Sequence, residues 1–174
     1  MYFGKLCLGL FLGLVGVVMT GSASAGGGGL RVMGWLERVV IQPEGLLLEA
    51  KLDTGAKTSS IDAKDVVEFA RDGKKWVRFS VSDRKGRTVM FERPVVRVAR
   101  IRRGGVPVAS RPVVMMFVCL GNSFREVEVN LGKRAKLSTP MLIGRTTMEG
   151  RVAVDSSRRF TAEPDCSGGK PEKG

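Results

Sequence analysis

Asp53 is the side chain of this sequence whose surroundings best suit acid–base chemistry. Apolar and β-prone residues run up to Leu52, and Asp53 is followed at once by Thr54, Gly55 and Ala56. A carboxylate at the end of a strand can act as a general acid or base if a second carboxylate shares its proton. Asp-Thr-Gly is also an ordinary turn sequence, so the tripeptide alone leaves a plain β-turn and a catalytic aspartate as alternatives.

A second segment, TPMLIGRTTMEG at residues 139–150, favours the catalytic alternative. Two apolar residues in it, Leu142 and Ile143, lead into Gly144 and Arg145 and then into a short helix-like stretch. A simple surface turn needs neither an apolar strand before it nor a second apolar segment of this kind later in the chain. The two segments together therefore indicate a built site.

If the two segments form one site, three contacts are expected. The Asp53 carboxylate accepts hydrogen bonds from backbone N–H groups of the turn that follows, including that of Gly55. The Thr54 hydroxyl has a hydrogen-bond partner, either within the monomer or across a dimer, because burying an unpaired hydroxyl costs about 1–3 kcal/mol. Leu142 and Ile143 lie against the Asp53 loop, although they are about ninety residues away in sequence.

Other chemistries are excluded by what the chain lacks. The sequence contains no histidine, which rules out Ser-His-Asp and Cys-His arrangements. It has no Cys-x-x-Cys pair, and a zinc site built from carboxylates alone suits zinc poorly. No phosphate-binding Gly-rich loop of the Walker type is present. We therefore predict neither a metal ion nor a cofactor.

The rest of the sequence predicts an all-β protein with one or two short helices. Alternating or continuous apolar runs are separated by Gly, Pro and Asn turns, which is typical of a small closed barrel or a sandwich. The predicted strands are residues 37–41, 46–52, 75–82, 88–91, 94–101, 112–120, 124–131, 141–143 and 152–154. The predicted short helices are residues 62–69 and 146–150.

The first 25 residues have the pattern of a secretory signal peptide. A positive Lys5 precedes an apolar run, and Ala23-Ser24-Ala25 resembles an A-x-A cleavage site. The alternative is an uncleaved anchor, but the apolar run is shorter than the ~20 residues that a membrane-spanning helix needs. We predict a signal peptide at 1–25, a glycine linker at 26–31, one domain at 32–162 and a disordered tail at 163–174, in a secreted or periplasmic protein.

The chain is strongly basic. Its formal charge is +12, and loss of Lys5 with the signal peptide leaves 28 basic against 17 acidic residues. Such a charge attracts anionic partners, among them components of the cell envelope and acidic peptides. Nucleic acid is not predicted, because the chain lacks a series of aromatic residues for base stacking. An ordinary solvated surface is the alternative.

Arginines cluster around the turn at Gly104 and Gly105. They favour either a flap-like hairpin that attracts acidic peptides or a strand edge that charge protects from aggregation. The cluster consists of Arg97, Arg100, Arg102, Arg103 and Arg111.

Two cysteines follow the predicted cleavage site, Cys119 in an apolar strand and Cys166 in the tail. In an oxidising compartment they can form a disulfide that ties the tail to the body. A buried, free Cys119 is the alternative.

The segments KLDTGAKTSSIDA, RPVVMMFVCLG, REVEVNL and PMLIGRTTMEGRVAVDSSRRF together resemble a known family. They are similar, in the expected order, to the bacterial retropepsin-like aspartic endopeptidases, a family also labelled ATP-dependent zinc proteases. The resemblance covers about residues 32–160. Members often carry a histidine where Asp62 stands here, so neither the zinc nor the ATP of the family label has support in this sequence.

The resemblance implies an acid-protease-like β-barrel and an exported endopeptidase that acts on peptides or proteins. With one Asp-Thr-Gly per chain, a homodimer is implied, in which Asp53 supplies half of the catalytic dyad. The resemblance gives supporting roles to seven residues around it, with Arg145 as a structural partner rather than a catalyst. These residues are Thr54, Gly55, Ala56, Leu142, Ile143, Gly144 and Arg145. The alternative function is a non-catalytic binding module on the same barrel, held at an anionic cell surface.

Overall fold

The computed structural model describes Met1 and residues 29–103, 106–167 and 169–173. The predicted signal peptide and most of the glycine linker lie outside the described residues. The structure is 62% strand and 3% helix, which confirms the predicted all-β class.

Within the described residues, twelve strands and one short helix follow one another. The first seven described strands are β1 (Arg31–Gln42), β2 (Leu46–Leu52), β3 (Ser59–Asp62), β4 (Lys64–Arg71), β5 (Lys74–Ser82), β6 (Thr88–Pro94) and β7 (Arg97–Arg103). The remaining elements are β8 (Val106–Leu120), β9 (Ser123–Gly132), β10 (Met141–Ile143), α1 (Arg145–Met148), β11 (Val152–Arg159) and β12 (Glu172–Lys173).

Six of these strands close into a barrel. The order β1-β2-β10-β3-β9-β8 returns to its start because β1 also pairs with β8, from Val39 opposite Leu120 to Gln42 opposite Phe117. Strand β10 lies between β2, to which it is parallel, and β3, to which it is antiparallel. This position carries the second predicted segment to the end of β2, where Asp53 begins the loop.

The barrel interior is filled by aliphatic side chains whose burial alternates along the strands. Strand β2 shows this alternation, with Leu46, Leu48, Ala50 and Leu52 inside. Removing this apolar surface from water, at roughly 25 cal/mol per Å², is the main force that holds the strands around one core. The core then fixes the strand ends, including the end that carries the site.

The predicted helix at residues 62–69 is wrong. Most of this stretch belongs to β4, which pairs with β5 in an antiparallel hairpin and forms a separate three-stranded sheet with β5 and β6. Both faces of β4 are largely exposed, so its side chains carry no period-2 pattern to reveal a strand. The second predicted helix is confirmed at α1.

The C-terminal segment is attached to the barrel in this structure. Cys119 and Cys166 form a disulfide, which settles the alternative left open by the sequence. Strand β12 pairs in parallel with the start of β9. The expected division of the chain into signal peptide, linker, domain and tail stays a prediction.

Candidate active site

The Asp53 carboxylate is held at the end of β2. The preceding residue, Leu52, is buried, and the Asp53 backbone N–H donates to the Ile143 carbonyl over 2.9 Å. Oδ1 of Asp53 accepts a 2.9 Å hydrogen bond from the Gly55 N–H, as expected. A Cβ on Gly55 would lie 3.1 Å from that oxygen, so glycine lets the turn close tightly over the carboxylate. The side chain of Asp53 remains 27% exposed, and it can therefore meet a ligand.

The second segment packs directly behind this loop. Leu142 and Ile143 lie opposite Lys51 and Leu52 in the parallel β10–β2 pair, which confirms the expected contact between distant segments. Because β10 ends where β2 ends, the residues after it reach the residues after Asp53.

Arg145 brings the two segments together through its backbone and its guanidinium. Its N–H donates to the Ala56 carbonyl over 2.8 Å. One guanidinium nitrogen, Nη1, donates to the carbonyls of Thr54 and Gly55 over 2.9 and 3.0 Å. The cation thus satisfies the carbonyls of the Asp53 loop, which is how a structural partner acts.

Gly144 allows the two segments to approach closely. A Cβ there would lie 2.7 Å from the Lys57 carbonyl oxygen, and the Gly144 N–H donates to Oγ of the buried Ser59 over 3.1 Å. Ser59 in turn shares a 2.8 Å hydrogen bond with the Thr147 hydroxyl. The sequence does not predict this pairing of Ser59 and Thr147, because the two residues meet only when α1 packs against β3.

A lysine missed by the sequence analysis lies beside the candidate catalytic carboxylate. Nζ of Lys51 is 3.5 Å from Oδ2 of Asp53. A second lysine near in sequence, Lys57, is four residues after Asp53 and is exposed. Alternation along β2 points Lys51 and Asp53 to the same side of the strand, a signal that was present in the sequence.

Thr54 differs from expectation in its burial. It is exposed, and within the described part of the chain its hydroxyl makes no hydrogen bond. A hydroxyl in a buried turn would need such a partner, whereas this turn faces solvent in a single chain. A partner for the Thr54 hydroxyl across a dimer stays a prediction.

Two open clefts flank the Asp53 loop. One, of about 510 Å³, lies between Thr54 and the start of β11. The other, of about 550 Å³, lies between residues 56–60, the base of the β7–β8 hairpin and the buried Asn130. Five cationic side chains line the second cleft: Lys57, Arg97, Arg100, Arg111 and Arg134.

The basic cleft is held by specific hydrogen bonds. Nε of Arg97 donates to Glu128 over 2.8 Å, and this hydrogen bond, with the opposing charge, raises the pKa of Arg97 above its usual range. Arg134 is buried and donates to Ser60 Oγ over 3.1 Å. Of the predicted hairpin arginines, Arg97, Arg100 and Arg111 thus lie beside the Asp53 loop. The side chains of residues 101–108, and with them the other two arginines, are outside the described residues.

Among the residues that the structure describes, no group of three or more His, Cys, Asp or Glu side chains is placed to hold a metal ion. Asp62, at the position where related sequences often carry histidine, accepts a hydrogen bond from the Arg134 backbone. Within the same described ranges, no helix has the length and apolarity to cross a membrane.

A closed β-barrel whose Asp-Thr-Gly-Ala loop is braced by a Leu-Ile-Gly-Arg segment defines the retropepsin-like class. Residues 32–165 match the family model described as RimB-like, retropepsin-like aspartic endopeptidase RimB. The chain belongs to this family, and the resemblance inferred from its motifs is confirmed.

Curated relatives carry a different name. The chain is 32% identical over 116 residues to a protein of Shewanella halifaxensis and 34% identical over 112 residues to one of Desulfotalea psychrophila, both named "Probable alpha-L-glutamate ligase". The matches cover 65% and 62% of this chain but 25% and 24% of those proteins. The chain therefore spans about a quarter of the length of the curated relatives it matches.

A solved structure has the same fold. The crystal structure of a protein of unknown function from Legionella pneumophila is similar with a TM-score of 0.66 and 33% sequence identity. The likeness covers 76% of this chain and 98% of that protein. The predicted closed barrel is thereby confirmed.

Proposed function

We propose that this protein is an exported aspartic endopeptidase that becomes active as a homodimer. The observation that carries the proposal is the Asp53 carboxylate, partly exposed at a strand end and oriented by the Gly55 N–H. One chain supplies a single such carboxylate. A second copy that places its Asp53 against the first would complete an acid–base pair.

Two carboxylates in close contact cannot both ionise easily, so the pair holds one shared proton. The ionised member takes a proton from a water molecule whose oxygen attacks the peptide carbonyl carbon. The protonated member gives its proton to the carbonyl oxygen. When the resulting diol collapses, a carboxyl group passes a proton to the leaving amide nitrogen and the C–N bond breaks.

A rate that depends on chain concentration tests the dimer. We expect peptide cleavage per chain to rise with protein concentration and to level off where sedimentation shows the dimer to be complete, because a single chain holds half of the pair. The measurement is initial rate against a mixed peptide library over a dilution series. Cleavage per chain that stays constant down to concentrations at which the protein is fully monomeric contradicts the proposal.

For the substrate we propose peptides rich in acidic residues, glutamate above all. The basic cleft beside the Asp53 loop supports this choice, since five cations converge there. The name of the relatives also supports an acidic substrate, because an enzyme named as a glutamate ligase acts on glutamate. Ligase activity itself is not carried over to this chain, which matches about a quarter of those proteins.

Reversing one charge in the cleft tests the substrate class. We expect Arg100→Glu to lower kcat/KM for a glutamate-rich peptide about tenfold or more and to change it little for a neutral peptide. The physical reason is that opposite unit charges about 4 Å apart attract by about 1 kcal/mol in water and by more near a protein surface. Arg100 is exposed and lines the cleft. Lys74→Glu is the matched control, because Lys74 is exposed and does not line this cleft. An equal loss on both peptides, or an equal loss in the control, contradicts the acidic preference.

A non-catalytic binding module is the second candidate. The exposed Thr54, whose hydroxyl is unpaired in the described part of a single chain, and the net charge of +12 favour it. A protein that stays monomeric at all concentrations, cleaves no peptide and sediments with anionic vesicles would support this candidate over the peptidase.

A further inference from the structure

The C-terminal segment is held on the barrel by three separate contacts. The disulfide joins Cys166 to Cys119 at the end of β8. Next to it, the Asp165 N–H donates to the Gly121 carbonyl over 2.7 Å. Further on, the Glu172 carboxylate lies 2.6 Å from a guanidinium nitrogen of Arg151. The segment is therefore joined to the body at both of its ends.

The segment covers a strand edge that no other described strand covers. Strand β9 pairs with β8 from Ser123 to Asn130 on one side, and with β3 from Val129 to Gly132 on the other. Part of the edge before Val129 is covered by β12, whose Glu172 and Lys173 lie opposite Arg125 and Glu126. An uncovered strand edge is a site for unwanted pairing with other chains, so β12 protects part of the β9 edge that lies before the start of β3.

Two paired residues are too few to hold a strand in place by themselves. Isolated short strand pairings are marginal in water, and the Arg151–Glu172 ion pair is exposed, which limits it to about 0–1 kcal/mol. A covalent tether raises the local concentration of β12 at the edge, and this makes the pairing favourable. The disulfide at Cys166 is such a tether, since it fixes the chain a few residues before β12.

We propose that the Cys119–Cys166 disulfide is a redox latch for the β9 edge. With the disulfide closed, β12 stays on β9 and the barrel has no open edge there. With the disulfide reduced, β12 leaves and the amides at the start of β9 meet solvent, while the barrel itself stays folded. The inference concerns the C-terminal segment and does not rest on the proposed peptidase activity.

The opening step requires a thiol reductant. Cys119 is 1% exposed, whereas Cys166 is half-buried, so an incoming thiolate reaches the Cys166 sulfur. The S–S bond breaks, a mixed disulfide forms at Cys166, and Cys119 leaves as a thiolate that takes up a proton. In a dithiol reductant, the second thiol then attacks the first sulfur of the same reductant molecule, which is bonded to Cys166. This step closes the reductant into a ring and frees the Cys166 thiol. The chain gains two electrons and two protons, and the dithiol becomes a cyclic disulfide.

Hydrogen–deuterium exchange on the full chain, with and without dithiothreitol, tests the latch. We expect the β9 amides that face β12, within residues 123–127, to exchange about tenfold faster or more after reduction, because local opening frees them. Residues 129–131, which pair with β3, are the internal control and keep their protection. Cys166→Ser without reductant gives the same pattern as the reduced protein.

A second variant separates the strand from the disulfide. Glu172→Pro keeps both cysteines but removes a strand N–H and disfavours pairing, so we expect fast exchange at the start of β9 even when the disulfide is closed. Two results overturn the proposal. One is unchanged exchange at residues 123–127 after mass spectrometry shows two free thiols. The other is an equal loss of protection at residues 129–131, which would make the disulfide a general stabiliser of the barrel.

Discussion

Replacing Asp53 by asparagine is expected to reduce peptide cleavage at least about 10³-fold. The amide keeps the size of the side chain and can still accept from the Gly55 N–H, which donates to Asp53 over 2.9 Å. It cannot hold or release the shared proton of a carboxylate pair, and general acid–base catalysis contributes about 10²–10⁴-fold. Initial rates against a peptide library, at several pH values, measure the loss.

The control for this substitution is Asp72→Asn. Asp72 is exposed in the β4–β5 turn with a φ of 50°, a conformation that asparagine adopts readily. We expect full activity from the control, and from both variants the dimer mass and circular dichroism of the wild type. Wild-type cleavage by a folded Asp53→Asn variant would show that the carboxylate is not the catalyst and would refute the peptidase proposal.

Replacing Glu37 by alanine is expected to lower the free energy of unfolding by about 3 kcal/mol or more. Glu37 lies in β1, is completely buried, and accepts hydrogen bonds from a backbone donor in its own strand and from backbone and side-chain donors in the segment after β11. These donors are the Gly34 N–H at 2.7 Å, the Thr161 N–H at 2.9 and 3.0 Å, the Thr161 hydroxyl at 2.5 Å and the Ala162 N–H at 3.2 Å. Each buried donor left without a partner costs about 1–3 kcal/mol.

Urea denaturation measures this effect as a lower midpoint with an unchanged slope. The Glu37→Gln variant keeps the volume and one acceptor oxygen, so we expect it to lie between alanine and the wild type. Glu68→Ala is the exposed control and is expected within about 0.5 kcal/mol of the wild type. If Glu37→Ala were as stable as the control, the carboxylate would not be what binds the segment after β11 to β1.

The sequence alone determined the all-β class and the strand that leads into Asp53. Strand β2 was predicted with the bounds that the structure has, Leu46–Leu52, and so was β10, Met141–Ile143. Both are short apolar runs that end at turn residues. Apolar runs indicate burial and turn residues indicate chain reversal, and both signals are local in the sequence. The contact between Asp53 and Gly55 was predictable for the same reason, because it spans two residues.

The tertiary structure alone decided which distant side chains meet. The cluster around Glu37 joins residues separated by more than 120 positions, and the closure of β1 on β8 brings Val39 opposite Leu120. No local pattern carries such pairings, because they depend on strand register and on the order of strands around the barrel. The sequence does not predict strand β4, because both of its faces are exposed and its side chains therefore show no apolar period. Its pairing with β5 decides its conformation.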